Sequence, residues 1–257
     1  MEVHQHAHHE GKKNWKSYFW EFLMLFLAVT LGFFVENQRE HYNEHLRAKE
    51  FSKTLVKDLQ SDTAAIHAQN KTAKTYIAIA DSLLALSKAK LEGRLASRFS
   101  FYTRFMYWTV PITWNRATFE QIKNSGSLRY FKNYQLLEKM IKYDAIVNDI
   151  ESEAYNHTIR GNLLLKQINV IIDPAYHHEL SKYFLWTLDS MSRKTIESLY
   201  PPNQESLENK RNDIREMLNM VVVQQRNLQR DIDVTWKQAE ELAVELMNDL
   251  KKQYHIE

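Results

Sequence analysis

Residues 18–35, YFWEFLMLFLAVTLGFFV, decide how this chain is built, because fifteen of the eighteen are apolar or aromatic. A helix of this length spans about 27 Å, close to the hydrocarbon thickness of a bilayer. Aromatic residues gather at both ends of the run, as they do at membrane interfaces. We therefore predict one transmembrane helix that is retained as a signal anchor. A cleaved signal peptide is the alternative, but its only cleavage pattern, at residues 28–30, lies inside the apolar run.

The orientation of this helix follows from the charges beside it. Lys12, Lys13 and Lys16 immediately precede the apolar run, whereas the basic residues that follow it lie further away. Positive residues close to a transmembrane helix favour the cytoplasmic side. We expect residues 1–17 to form a short cytoplasmic tail and residues 36–257 to form an extracytoplasmic domain.

The composition points to an all-α fold. The 257 residues include only 5 glycines and 4 prolines, whereas sheets and barrels need many turn residues. The chain has no cysteine, which excludes a thiol nucleophile, a disulfide scaffold and an iron–sulfur site. The net charge of +2 is too small to indicate a nucleic-acid-binding surface.

Two long helices are predicted at the ends of the extracytoplasmic region. Residues 36–92 contain no glycine or proline and carry an apolar stripe, and Gly93 is a candidate C-terminal stop. Residues 204–254 carry a heptad of apolar positions, interrupted at Gln225 and Thr235. We predict that the two helices pack antiparallel as a coiled-coil-like stalk; two surface helices of a compact bundle are the alternative. The apolar positions of the C-terminal seam are Ile214, Leu218, Val221, Leu228, Ile232, Ala239, Leu242 and Leu246.

Residues 93–203 are predicted to form a helical cap with connecting helices. Asn115 is a candidate N-cap for a short helix, and Gly126 fits the left-handed position that ends it. A long helix is expected from Asn133 to Ile172 with an interruption near Gly161, and Pro174 stops it. A further helix is expected over residues 179–200.

Eight aromatic residues crowd into positions 99–119 of this cap. Short helices bury large side chains in this way when they form a core. A ligand pocket or a surface for a partner protein is the other interpretation. The candidate residues for such a surface are Tyr107, Trp108 and Trp114.

The chain resembles a family of uncharacterised single-pass inner-membrane proteins of Bacteroidota. The resemblance covers the anchor with its acidic residue, the charged segment ENQREHYNEHLRAKEFSKTLVKDLQSD, and the segment ATFEQIKNSGSLRYFKN. It implies an inner-membrane location and a helical periplasmic domain, and it implies no activity. The family's second motif maps onto Ala117, Phe119, Ile122, Ser125, Gly126, Leu128 and Phe131.

Glu21 is the ionisable residue inside the apolar run. A carboxylate in a membrane is a candidate for proton or ion transfer, because burying its charge is costly. However, Glu21 lies one turn inside the run, where it can reach the interface and interact favourably with the helix N-terminus. Ala28 and Gly32 form a small-residue pair that allows two helices to approach closely in the membrane.

Several histidines are weaker candidates for metal binding. His4, His6, His8 and His9 form a histidine-rich tail that could hold a transition metal. His41 lies four residues before His45 on one helix face, without a third ligand in the sequence pattern. The sequence Asn156-His157-Thr158 matches a glycan acceptor, which carries little meaning in a bacterial protein.

Three functional hypotheses remain, and none is an enzyme, because the common catalytic and nucleotide-binding signatures are absent from the sequence. The first is a non-enzymatic membrane protein that acts as an oligomeric scaffold or accessory subunit, with a second copy or another inner-membrane or periplasmic protein as partner. The second is an ion-conducting or proton-coupled subunit that uses Glu21. The third is a periplasmic sensor with a ligand site in the aromatic cap. No cofactor is predicted.

Overall fold

A computed structural model describes residues 14–108, 111–202 and 204–256 of the chain. It is 84% helical and has no strand within these ranges, so the predicted all-α class is confirmed. The α-helices are α1 (Trp15–Leu86), α2 (Gly93–Thr103), α3 (Ala117–Asn124), α4 (Tyr134–Ile171), α5 (Pro174–Glu179), α6 (Arg193–Ser198), α7 (Arg211–Arg230) and α8 (Trp236–Tyr254). Short 3₁₀ turns lie at Ser127–Tyr130, Leu180–Lys182, Leu185–Ser190 and Glu208–Lys210, and a π-helical segment, Asp231–Thr235, joins α7 to α8.

The chain falls into two units, Met1–Glu50 and Phe51–Glu257. The first contains the beginning of α1, which is long and apolar enough to cross a membrane and has none of its apolar window buried. Phe22, Leu25 and Phe33 are more than half exposed there. Such a largely apolar helix surface is stable in lipid and costly in water.

The second unit is organised around three long helical elements. The part of α1 after Glu50 and the whole of α4 both run antiparallel to the continuous element formed by α7, the π segment and α8. The side-chain pairs that fix these directions are Asp81 with Gln225, His67 with Glu240, Lys139 with Asp249 and Arg160 with Gln224. Between the three elements lies a core that includes Ile66, Tyr76, Phe99, Phe105, Leu164, Ile168 and Val221.

Local sequence signals explain several of the helix ends. Gly126 has φ = +68°, in the left-handed region predicted for it, and separates α3 from the following 3₁₀ turn. The side chain of Asn133 accepts hydrogen bonds from the amides of Gln135 and Leu136 and so caps α4. α4 continues without a break through Gly161 to Ile171, so the predicted interruption is absent.

Other predicted helix boundaries are wrong. α1 ends at Leu86 rather than at Gly93, which is the first residue of α2. Contacts distant in sequence set this end, because Arg211 donates hydrogen bonds to the carbonyls of Ser87 at 2.6 Å and Ala89 at 2.5 Å. Such a tertiary cap leaves no local signal.

The segment between α4 and α7 also differs from the prediction. Residues 179–200 form two 3₁₀ turns and α6 instead of one helix, and the C-terminal helix begins at Arg211, seven residues after the predicted start. The residue before α3 is Arg116, whereas the backbone N–H of the predicted cap, Asn115, donates to Asp62 at 2.8 Å.

Candidate ligand-binding site

The second unit contains a cavity of about 330 Å³ beside α1, α4 and the π segment. This volume lies near the lower end of the range of small-molecule sites, about 300–1,000 Å³. Three aromatic residues contribute to its wall: Tyr76, Trp108 and Trp236. The principal polar residues of the wall are Asp149, Glu153, His157, Gln224, Arg230 and Asp231.

A histidine and an aspartate meet in the buried part of this wall. His157 Nε2 lies 2.9 Å from Asp231 Oδ2, and the two side chains are only 8% and 4% exposed. His157 lies on α4 and Asp231 begins the π segment, 74 residues further along the chain. Buried polar side chains are costly unless they are hydrogen-bonded, so this pair fixes α4 against the junction of α7 and α8.

The neighbouring hydrogen bonds determine the tautomer of His157. Arg160 Nε can only donate, and it donates to Gln224 Oε1 at 3.1 Å. The amide nitrogen of Gln224 therefore faces His157 Nδ1, at 2.7 Å, and donates to it. His157 must then carry its proton on Nε2 and donate it to Asp231. We call these four residues the His157 cluster: Arg160, Gln224, His157 and Asp231.

Both ring nitrogens of His157 are thus engaged within the protein. Nδ1 accepts from Gln224 and Nε2 donates to Asp231, which leaves no ring lone pair for a substrate. A general base needs a free nitrogen within hydrogen-bond reach of the proton that it abstracts. This arrangement orients the cavity wall and makes it rigid, and it is poorly suited to proton transfer.

Two arginines are paired with carboxylates of the cavity wall. Arg160 donates to Glu153 Oε1 at 2.7 Å, and Arg230 donates to Asp231 Oδ1 at 3.2 Å. Burial alone would raise the pKa of Glu153, but hydrogen bonds from Asn156 and Arg160 and the charge of Arg160 lower it overall. Glu153 and Asp231 are therefore paired with cations of the protein itself.

The π segment determines which side chains of the C-terminal element enter the wall. A π turn adds one residue to the helical repeat and rotates the residues that follow. Trp236 is consequently buried, with 5% exposure, while Thr235 and the predicted seam residue Ile232 are half-buried. Inserted π turns occur frequently at functional sites, and here the turn places Asp231 next to His157.

Trp108 is one of the three aromatic residues of the wall. Its ring stacks on Tyr107 at 5.3 Å and meets Phe184 and Trp186 edge-on at 5.2 and 5.6 Å. The indole N–H is buried and finds no hydrogen-bond partner within the described ranges. Of the three aromatic residues singled out from the sequence, Trp108 lines the cavity, while Tyr107 and Trp114 pack against the core.

The other sequence candidates lie elsewhere. Glu21 and Gly32 are exposed on the apolar part of α1, and a Cβ added to Gly32 would meet no other atom within 4 Å. His41 lies 3.3 Å from Glu44, and no group of three metal-ligating side chains occurs in the part of the chain that the structure covers. The tail residues His4, His6, His8 and His9 and the C-terminal Glu257 fall outside the described residues.

The predicted C-terminal seam is buried inside the second unit. Val221, Ala239 and Leu246 are at most 1% exposed, and both α7 and α8 pack on α4. These positions are therefore occupied by packing within one chain. The remaining seam residues with less than a tenth of their surface exposed are Ile214, Leu218, Leu228 and Leu242.

The most important residues of the cavity were not singled out from the sequence. In the sequence, His157 stands out only as the middle of a glycan-acceptor pattern, and neither Gln224 nor Asp231 belongs to a predicted site. One signal was available, because His157 falls on the apolar face of α4 in register with Ile150 and Leu164. A polar residue in that position requires a buried partner, although the sequence does not say which.

A second polar cluster joins α1, the residues before α3 and the N-terminal half of α4. We call it the Asp62 cluster: Asp62, Tyr143, Asn115 and Arg116. Asp62 accepts hydrogen bonds from the Tyr143 hydroxyl at 2.8 Å and from the Asn115 backbone at 2.8 Å. Arg116 binds Asn148 and Glu151, each at 2.8 Å, and forms an ion pair with Asp144. The adjoining cavity has only about 20 Å³ of space.

Comparison of this chain with protein-family models, with curated proteins and with solved structures gives no match. The function is therefore argued from the two clusters, the cavity and the apolar helix.

Proposed function

We propose that this chain is a single-pass membrane protein whose helical domain binds a small molecule in the cavity beside the His157 cluster. The apolar start of α1 is the anchor, with the N-terminus in the cytoplasm and the domain in the periplasm. This is the sensor-like hypothesis of the sequence analysis, in which another protein would carry any signal onward.

One observation carries the proposal: a cavity of about 330 Å³ with an aromatic side and a fixed polar side. Small-molecule sites combine apolar walls with a few polar groups held in place by their neighbours. The buried polar groups of the His157 cluster satisfy one another without closing the cavity. Both ring nitrogens of His157 are already hydrogen-bonded within the protein, which favours ligand binding over catalysis.

The test is thermal unfolding of the full chain in detergent, in the presence of metabolites of mixed charge and size. A ligand of the cavity will raise the unfolding midpoint, because it binds only the folded state. The half-buried wall residue Ala154 is replaced by leucine to fill the cavity, and Trp108→Ala removes one of the three aromatic rings of the wall. Ala145→Leu, at an exposed position of α4, is the matched control.

We expect at least one compound to stabilise the wild type and Ala145→Leu, and to have no effect on Ala154→Leu or Trp108→Ala. Stabilisation that persists in Ala154→Leu would place binding outside the cavity and contradict the proposal. No stabilisation by any class of compound would contradict it as well.

A second candidate function is the oligomeric scaffold or accessory subunit, and one feature of α4 favours it. Six large apolar side chains lie exposed on the face opposite the core, within about 80° of arc at 3.6 residues per turn. An exposed apolar stripe of this kind is typical of a protein–protein contact, and two copies could pair through it. The stripe consists of Tyr134, Ile141, Tyr155, Ile159, Leu163 and Val170.

The native mass of the full chain, extracted in mild detergent, tests this second candidate. The double variant Ile159→Asp, Leu163→Asp should convert a homo-oligomer to a monomer, because it places two charges in the stripe. The control Asn162→Asp, Asn169→Asp adds the same charge at exposed polar positions of the same helix. A wild type that is already monomeric, with no protein bound to it, would contradict the candidate.

A further inference from the structure

The cavity wall has an excess of negative charge that the protein does not neutralise. Glu153 is paired with Arg160 at 2.7 Å, and Asp231 is paired with Arg230 at 3.2 Å. The third carboxylate of the wall, Asp149, has no hydrogen bond or ion pair within the described ranges. One carboxylate of the cavity is therefore left to a ligand or to solvent.

The position of Asp149 suits an entering ligand. It lies on α4 one turn before Glu153 and two turns before His157, so all three point to the same side of the helix. Asp149 is exposed whereas His157 is buried, which places Asp149 at the mouth of the cavity and His157 deep in the wall. A cation bound at the mouth would keep part of its hydration.

The apolar side of the cavity favours the same class of ligand. Tyr76, Trp108 and Trp236 bring three aromatic rings to the wall. Aromatic faces attract organic cations, and tryptophan attracts them most strongly. An anionic ligand would instead be repelled by the carboxylate of Asp149. The described residues of the wall offer it no unpaired cation, since Arg160 and Arg230 already bind carboxylates.

We infer that the ligand of this cavity is a small organic cation, an amine with an apolar body, whose ammonium group binds Asp149 and whose body packs between the aromatic rings. This inference rests on the proposed function, because it names the ligand class of the same cavity. Ammonium groups donate to carboxylates, and their charge-assisted hydrogen bonds are stronger than those between neutral groups. The rings exclude water from the rest of the molecule.

Three compounds of similar shape and different charge test the inference: 2-phenylethylamine, 2-phenylethanol and 3-phenylpropanoate. Their dissociation constants are measured by calorimetry with the full chain in detergent at neutral pH and low salt. We expect the amine to bind about tenfold or more tightly than the alcohol, and the carboxylate to bind most weakly. Added salt should weaken the binding of the amine alone.

Asp149→Asn removes the charge at the mouth and keeps the shape of the side chain. It should weaken binding of the amine about fivefold to tenfold and leave the alcohol unchanged. Glu138→Gln, at an exposed position of α4 outside the cavity, is the matched control and should change neither constant. Because Asp149 is exposed and has no hydrogen bond or ion pair among the residues that the structure describes, we expect its replacement to leave the fold intact.

The outcomes separate the two proposals. Equal binding of amine and alcohol, or an unchanged constant for the amine in Asp149→Asn, overturns the inference about the cation. If the alcohol or the carboxylate binds the wild type as tightly as the amine or more tightly, and does not bind Ala154→Leu, the cavity remains a ligand site and only its charge preference is wrong. If none of the three binds and no compound of any other class stabilises the protein, both proposals fail.

Discussion

Two side chains of α4, 14 residues apart, each bind a buried aspartate of another element, and the two aspartates differ in their surroundings. In the Asp62 cluster, Tyr143 of α4 donates its hydroxyl to Asp62 of α1 at 2.8 Å. In the His157 cluster, His157 of α4 donates to Asp231 of the π segment at 2.9 Å. Asp62 and Asp231 are each only 3% exposed, so the two carboxylates are equally buried.

The difference lies in charge and in space. Asp231 has Arg230 beside it, whereas Asp62 accepts hydrogen bonds from a hydroxyl and a backbone amide. Burial raises the pKa of Asp62. The cavity beside Asp62 has about 20 Å³ of space, against about 330 Å³ beside Asp231. We interpret the Asp62 cluster as a structural contact and the His157 cluster as the wall of a binding site.

The largest effect on stability is expected at Asp231. Asp231→Ala leaves the Nε2–H of His157 buried without an acceptor and removes the partner of Arg230, which should lower the free energy of unfolding by about 2–3 kcal/mol. Chemical unfolding of the full chain in detergent measures this loss. Asp233→Ala is the control, because Asp233 is exposed in the same π segment, and it should change stability by less than about 0.5 kcal/mol.

In the Asp62 cluster, Arg116 should contribute less. Its side chain is 21% exposed and binds three carboxylates, so Arg116→Ala should lower the free energy of unfolding by about 1–2 kcal/mol after solvent screening. Arg226→Ala, at an exposed position of α7, provides the comparison. If both substitutions have equal effects in the same unfolding assay, the cluster does not hold α3 against α4.

Replacement of Asp62 by asparagine should raise stability slightly at neutral pH. The pKa of Asp62 is raised in the folded protein, so its ionised form costs stability above that pKa, and stability returns as the pH falls toward the unfolded pKa. Asparagine has no charge; its Oδ1 still accepts from the Asn115 amide, and its Nδ2–H donates to the Tyr143 hydroxyl oxygen in place of the bond that the carboxylate accepts. We expect a gain within about 1 kcal/mol at pH 7. Unfolding experiments across pH should show the gain disappearing in acid, and a loss at pH 7 would contradict the argument.

Glu153 should show the opposite dependence on pH. Its pKa is lowered in the folded protein, so its ionised form adds stability above the unfolded pKa, and this stability is lost as the pH falls through the folded pKa. Glu153→Gln should lower the free energy of unfolding at pH 7 by no more than about 0.5 kcal/mol, because the side chain is partly exposed. This difference from the wild type should vanish in acid. Thermal unfolding at several pH values measures it, and a difference that persists in acid would point to packing instead.

The sequence predicts those parts of the molecule that local rules control. The scarcity of turn residues predicts the helical class, Asn133 predicts the start of α4, and Gly126 predicts the left-handed turn. The predicted end of α1 was wrong because Arg211, 122 residues beyond Ala89, donates the hydrogen bonds that the carbonyls after the helix accept. The predicted helix over residues 179–200 was wrong because propensity alone does not reveal where tertiary contacts break a helix.

The candidate site was predicted only in part. Trp108 was singled out because aromatic residues are dense around it, and it does line the cavity. The pairing of His157 with Asp231 depends on the antiparallel packing of α4 with the C-terminal element and on a π turn that shifts the helical phase. A heptad drawn through residues 214–246 assumes an uninterrupted α-helix, so it places Ile232 at the centre of the seam and misses Trp236.

The most direct test of the central claim is native mass spectrometry of the full chain released from its own membranes. We expect a small, non-covalently bound organic cation on the wild type and on Ala145→Leu, and no bound compound on Ala154→Leu. The isolated compound should protect the wild type from thermal unfolding when it is added back. The same bound mass on Ala154→Leu, or a bound compound without a positive charge, would contradict the account of this cavity.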